Sequence, residues 1–134
     1  MPTDDAPAVQ EFPFPWPNEA SGYALFPPEL ENDELVFFHG TPKKNLDPIR
    51  REGFKRSDSL PSVSYARKSS MSLDHVVRKR HEWNEPEAVV FVVRFDNTDD
   101  PAIVHNPSDI HVYKPELQPK ILGYCIVPAN YEHR

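Results

Sequence analysis

The sequence predicts an α+β domain built on a mostly antiparallel sheet, and three observations carry that expectation. The run Ala88-Val89-Val90-Phe91-Val92-Val93-Arg94-Phe95 is apolar at nearly every position, the pattern of a central strand covered on both faces. Strand-like and helix-like segments alternate ahead of it and a series of short β-like segments follows, an order that fits an α+β domain better than a doubly wound sheet. The chain's 134 residues, 38% hydrophobic and 27% charged, suffice for one core and exclude a second full domain.

Residues 1–34 read as an acidic arm rich in proline and aromatic residues. Seven of the sixteen prolines fall in the first 30 residues, among Phe12, Phe14, Trp16, Tyr23 and Phe26, so neither a helix nor a ladder strand is expected there. Free tails are poor in aromatic residues, so the arm is expected to lie on its own domain or on a partner. The domain proper, residues 35–134, opens with Leu35-Val36-Phe37-Phe38, a buried strand expected to stop at His39-Gly40-Thr41-Pro42. Residues 45–54 read as a short helix with Pro48 in its first turn, Leu46 and Ile49 on one face and Gly53 as its left-handed stop. Residues 62–66 are strand-like. Ser69 or Ser70 is expected to cap a helix that carries Leu73, Val76 and Val77 on one face and ends between Trp83 and Pro86. After the central strand and a turn at 96–101 come β segments at 102–105, 110–113 and 121–127.

Charge is unevenly spread. With 15 basic and 21 acidic residues the net charge is −6, the wrong sign for a wholly basic nucleic-acid binder and too mild for a disordered polyanion. Residues 1–42 hold eight acids and no Lys or Arg, whereas residues 43–80 hold eleven bases, Arg56 among them, against Asp47, Glu52, Asp58 and Asp74. Arg78-Lys79-Arg80 reads as a solvated helix face. A lone Cys125 forbids an internal disulfide and a cysteine-based zinc site. His75, His81, His105 and His133 form no metal-ligand set, so no metal is expected. No apolar run approaches the roughly 18 residues of a membrane span. The N-terminus shows neither the basic nor the apolar segment of a secretion signal, so a cytoplasmic protein with no membrane partner is expected.

Among residues able to carry chemistry, His39-Gly40-Thr41 leads. A His-Gly pair at the end of a buried strand sets an imidazole beside backbone that a ligand can approach closely; the competing role is a hydrogen-bonded structural histidine. The stretch from Leu35 through Phe54, a strand into His-Gly-Thr and then a short helix ending in Ile-x-x-x-Gly-Phe, resembles the opening of the ADP-ribosyltransferase superfamily. That superfamily includes poly(ADP-ribose) polymerases, diphtheria-toxin-like toxins and small rifamycin-modifying enzymes. Ser64-Tyr65-Ala66-Arg67-Lys68-Ser69-Ser70 is similar to its second strand and following helix. Ser108-Asp109-Ile110-His111-Val112-Tyr113, with Pro119-Lys120-Ile121-Leu122, is similar to its third segment, where an acid opens the strand. The resemblance spans residues 35–127.

The resemblance implies split, mostly antiparallel β-sheets with two short flanking helices. It also implies an NAD-dependent mono-ADP-ribosyltransferase, which moves ADP-ribose from NAD to an acceptor and releases nicotinamide. It casts His39 as a hydrogen-bond partner of the adenosine ribose and Gly40, with Thr41 beside it, as the backbone grip on the nicotinamide carboxamide. Tyr65 is cast as the ring stacked on nicotinamide, with Ser64 facing the cleft instead if strand alternation turns Ala66 that way. Ser69 and Ser70 are implied contacts to the carboxamide, and Arg67 to the pyrophosphate or an anionic acceptor. Breaking the glycosidic bond builds positive charge on the ribose, which a nearby carboxylate stabilises. By position that acid is Asp109, where the superfamily usually has Glu and the rifamycin-modifying branch has Asp. Glu116 is the rival, but it follows Val112-Tyr113 instead of preceding it. The expected catalytic set is His39, Tyr65 and Asp109. An RNA 2′-phosphotransferase, an NAD glycohydrolase, and an inactive module that binds ADP-ribose or a partner are the alternatives. The acceptor, whether protein, nucleic acid or small molecule, is not legible in the chain.

Overall fold

A computed structural model describes residues 9–55 and 61–131. The first eight residues of the arm, Arg56 and Asp58 of the basic stretch, and His133 lie outside the described residues. In chain order the elements are β1 (Gln10–Phe12), a 3-10 turn at Glu19–Ser21, α1 (Pro28–Glu31), β2 (Val36–Pro42), a 3-10 turn at Lys43–Asn45, α2 (Leu46–Glu52), β3 (Val63–Ala66), α3 (Ser69–Trp83), β4 (Ala88–Arg94), β5 (Ile103–His105), β6 (Asp109–Val112) and β7 (Lys120–Val127).

The side chains of β4 alternate between two cores, which is why its whole run is apolar. Ala88, Val90 and Val92 join Phe38, Leu73 and Val76 beneath α3, while Val89, Phe91 and Val93 join Phe37, Phe54 and Tyr65 on the side where Leu46 and Ile49 of α2 pack. The strands form one seven-stranded sheet in the order β1-β7-β4-β2-β3-β6-β5, antiparallel except for β1 on β7. The chain is thus an α+β domain on a mostly antiparallel sheet. No helix among the described residues is long and apolar enough to cross a membrane.

Several expectations need correction. β2 does not stop at Phe38 but continues through His39-Gly40-Thr41-Pro42, pairing with β4 from Val36↔Arg94 to Pro42↔Ala88. The long ladder offered by β4 overrides the local Gly and Pro punctuation, and Pro42 sits at the strand's end, where a missing N–H disrupts least. His39 therefore lies within an interior strand and not at a sheet edge. The arm does contain a ladder strand and a short helix. Residues 10–12 are free of proline and pair in parallel with Gly123–Cys125, the strand ending at Pro13. Pro28 opens α1 at a position where an N–H has no partner to lose. Leu25 and Phe26 are buried in the α3-side core, with Phe12, Phe14 and Tyr23 packed against it.

α3 runs for 15 residues over the expected span, but neither Ser69 nor Ser70 caps it; the N-cap position is Lys68, with no side-chain cap bond. Instead Ser69 Oγ donates to the Glu31 carboxylate and accepts from the Leu25 N–H at 2.9 Å, while Glu31 also accepts from the Phe26 N–H at 3.1 Å. The arm thereby closes the N-terminus of α3. Finally, there is one sheet where two were expected, yet it is barely continuous. β2 and β3 share a single residue pair, Phe38↔Ala66, whereas β2 pairs with β4 at seven positions and β3 with β6 at four. Beyond that link the strands part along a seam.

Candidate active site

Strand alternation sends successive residues of β2 to opposite faces of the seam. Gly40 faces α3, and a Cβ there would stand 2.5 Å from Val76 Cγ1 and 3.1 Å from the Ser72 carbonyl oxygen. Its lack of a side chain lets α3 lie directly on β2. His39 faces the other way, its ring 5.1 Å from that of Phe54 and 5.7 Å from that of Tyr65. His39 Nδ1 lies 2.8 Å from the Ser64 carbonyl oxygen across the seam. A carbonyl only accepts, so Nδ1 carries the hydrogen and Nε2 remains an acceptor. Burial lowers the His39 pKa from its usual value; the bond to Ser64 opposes this in part, and nearby His75 adds to the lowering.

Two cavities meet at His39. One of about 200 Å³ opens on the α3 side and is lined by Gly40, Ser64, Ser72, His75, Ser108 and Asp109 as well as His39 itself. The other, of about 280 Å³, lies toward α2, where Thr41, Asn45, Ile49, Glu52 and Phe54 line it. Asn45 Nδ2 donates to Thr41 Oγ1 at 2.8 Å, tying the end of β2 to the start of α2.

Asp109 opens β6 opposite Ala66, and this register delivers it to the α3-side cavity. Its half-buried carboxylate is held at both oxygens: Oδ1 accepts from Asn106 Nδ2 at 3.0 Å, and Oδ2 lies 3.2 Å from His111 Nε2. Glu116 is exposed in the loop after β6 and lines neither cavity.

The structure brings His39, Gly40, Ser64 and Asp109 together, with Thr41 one step away in the second cavity. It does not bring Tyr65. The Phe38↔Ala66 pair fixes Ala66, and therefore Ser64, on the α3 face, and turns Tyr65 into the opposite core at 1% exposure, packed edge-on to Phe54 and Phe95. Ser69 is fully buried in its bonds to Glu31 and Leu25, and Ser70 lines neither cavity. Arg67 is also committed elsewhere. Its Nε donates to the Asn106 carbonyl at 2.9 Å, a terminal nitrogen lies 3.1 Å from His105 Nδ1, and its guanidinium stands 5.7 Å from the centre of the Phe37 ring. It braces the turn that presents Asp109.

Ser72 and His75 are the residues that sequence reasoning missed. They sit three apart on the face of α3 turned toward Gly40, and that spacing on the helix following the second strand was the available signal. His75 has its pKa lowered by burial first and by Lys79 and Arg78 next, with Asp74 and Glu82 opposing, which favours the uncharged ring. No protein-family model matches the chain, and no curated protein matches it in sequence.

Proposed function

We propose that the protein is an NAD-dependent mono-ADP-ribosyltransferase of ADP-ribosyltransferase-like fold. The observation that carries this reading is the seam at His39-Gly40, which opens onto a cavity containing Asp109 on one face and onto a second cavity on the other. Each cavity falls short of the roughly 300–1,000 Å³ of a small-molecule site, but the two together suit a ligand with two linked halves. In this reading nicotinamide lies in the α3-side cavity against the Gly40 backbone and the Ser72 hydroxyl. The adenosine half lies by Thr41 and Asn45, and His39 Nε2 accepts from a ribose hydroxyl between them. His75 takes the place expected of Tyr65 as the flat partner of the nicotinamide ring. The lowering of its pKa by burial favours the uncharged ring, which does not repel the positive charge of nicotinamide in NAD.

The chemistry then needs little of the protein beyond charge and position. As the ribose–nicotinamide bond breaks, its electron pair leaves with nicotinamide, which departs neutral and needs no acid. The sugar becomes an oxocarbenium-like cation, and the Asp109 carboxylate stabilises it more than it stabilises bound NAD. An acceptor nucleophile closes the reaction at the same carbon. The RNA 2′-phosphotransferase alternative likewise needs a cationic side chain for a phosphate; Lys55 lines the α2-side cavity and no Lys or Arg lines the Asp109 cavity, so the presence of NAD-dependent nicotinamide release is what separates the two readings. The test is incubation with NAD while free nicotinamide is followed, with and without cell lysate. Transfer predicts release that depends on lysate; equal release in both arms indicates NAD hydrolysis, and silence in both refutes the enzyme reading.

A further inference from the structure

We propose that His111 is a positioning residue for Asp109, the middle of a run of polar side-chain contacts that passes from Ser62 through His111 to Asp109 along one face of β3 and β6. The inference rests on the transferase reading and deepens it by saying what holds the acid in place. His111 lies two residues beyond Asp109 on the same strand face, opposite Ser64 in register. Its Nε2 is 3.2 Å from Asp109 Oδ2, and its Nδ1 is 3.0 Å from Ser62 Oγ. A carboxylate can only accept, so an Nε2 hydrogen is the one that suits this contact, and Nδ1 is left to the Ser62 hydroxyl. The imidazole thus has a polar neighbour at each end, and the Asp109 carboxylate has His111 beside Oδ2 and the Asn106 amide bonded to Oδ1.

This run of contacts contains the residue types of a serine hydrolase but is wired to serve the acid. Ser62 is 8% exposed and does not line the cavity, whereas Asp109 does. A carboxylate that acts through charge on a short-lived cation must stand at a set distance from it. An unbraced Asp at the start of a strand turns freely about its side-chain bonds, and a misplacement near 1 Å lowers rate by about 100-fold. The turn at 105–108 that Arg67 holds and the His111 clamp thus secure Asp109 from its backbone and from its side chain.

The test measures kcat and KM for NAD by nicotinamide release. His111→Ala should lower kcat by about 10- to 100-fold with KM changed less than about threefold. His111→Gln, whose amide nitrogen reaches roughly where Nε2 stood, should recover most of that loss. Ser62→Ala, a smaller change away from the cavity, should move kcat in the same direction by less. Imidazole nitrogen NMR of the full chain should show a hydrogen on Nε2 of His111. Wild-type kcat in His111→Ala, or a folded His111→Gln no better than His111→Ala, overturns the inference. An Nδ1–H tautomer overturns the clamp alone, while a wild-type protein that releases no nicotinamide overturns the transferase reading and the clamp's catalytic purpose together.

Discussion

Substituting Gly40 by alanine separates packing from ligand contact at one residue. The new Cβ would stand 2.5 Å from Val76 Cγ1 and 3.1 Å from the Ser72 carbonyl oxygen, where unstrained carbon contacts are roughly 3.5–4.0 Å. Val76 cannot simply swing aside, because a β-branched side chain in a helix has one strongly preferred rotamer. α3 must therefore withdraw by about an ångström, an overpacking that costs about 1–3 kcal/mol. For a chain of this size each kcal/mol lowers Tm by roughly 3–5 °C. Withdrawing α3 also carries Ser72 and His75 away from the cavity, so nicotinamide release should fall by about 100-fold. The assay is a double-mutant cycle by urea denaturation. In a Val76→Ala background the same Gly40→Ala change should cost at least about 1 kcal/mol less. Equal cost in both backgrounds would refute the packing argument. Lost activity with unchanged stability would show that the methyl acts on the carboxamide and not on the helix.

Asp109→Asn should lower kcat for nicotinamide release by about 10²–10³-fold while NAD binding measured by calorimetry survives, and Glu116→Gln should leave both unchanged; the reverse pattern would move the acid. Tyr65→Phe should leave kcat and KM unaltered, whereas His75→Ala should raise the KM for NAD, and a Tyr65-dependent KM would reinstate the stacking role for that ring. Gly123→Ala puts a Cβ 2.6 Å from Phe12 Cε2, so β1 should lift and limited proteolysis should cut the arm sooner than in wild type. His39 and His75 both have folded pKa values below the usual 6.5. As pH falls below 6.5 the unfolded chain takes up protons that the folded one refuses, so stability is fully present above that pH and declines below it. Denaturation midpoints across a pH series check this, and His39→Gln should flatten the decline.

The parts of the fold that were legible are those whose signal is local and repeated. The unbroken run of β4 declares a strand buried on both faces, and Gly53, with φ of 85° at the end of α2, declares its stop. The misread parts depend on distant partners. Nothing near His39 says that β4 continues the ladder through Pro42, and nothing near Ser69 says that Glu31, 38 residues earlier, closes the helix. That Asp109 opens a strand is a local pattern, an acid ahead of β-branched residues, and the register then delivers it to the cavity. Which of Ser64 and Tyr65 meets the cavity turns on a single position, which in a strand exchanges the two faces, and only the Phe38↔Ala66 pair fixes it. Ser72 and His75 carry no local signal of their own, since only the packing of α3 on Gly40 brings them to the cavity wall.

Strands with free backbone on one side invite other strands to join them, and in most sheets that hazard lies at the two outer rims. Here the outer rims are blunted: β1 has three residues and ends at Pro13, and β5 has three residues followed by Asn106-Pro107. The seam adds a second pair of rims inside the sheet, where β2 past Phe38 and β3 before Ala66 face each other without pairing. An intruding chain would find the His39 imidazole already seated on the Ser64 carbonyl at 2.8 Å. One side chain thus fills the opening against an incoming strand, so the sheet can stay open at its centre without offering a bare template for aggregation.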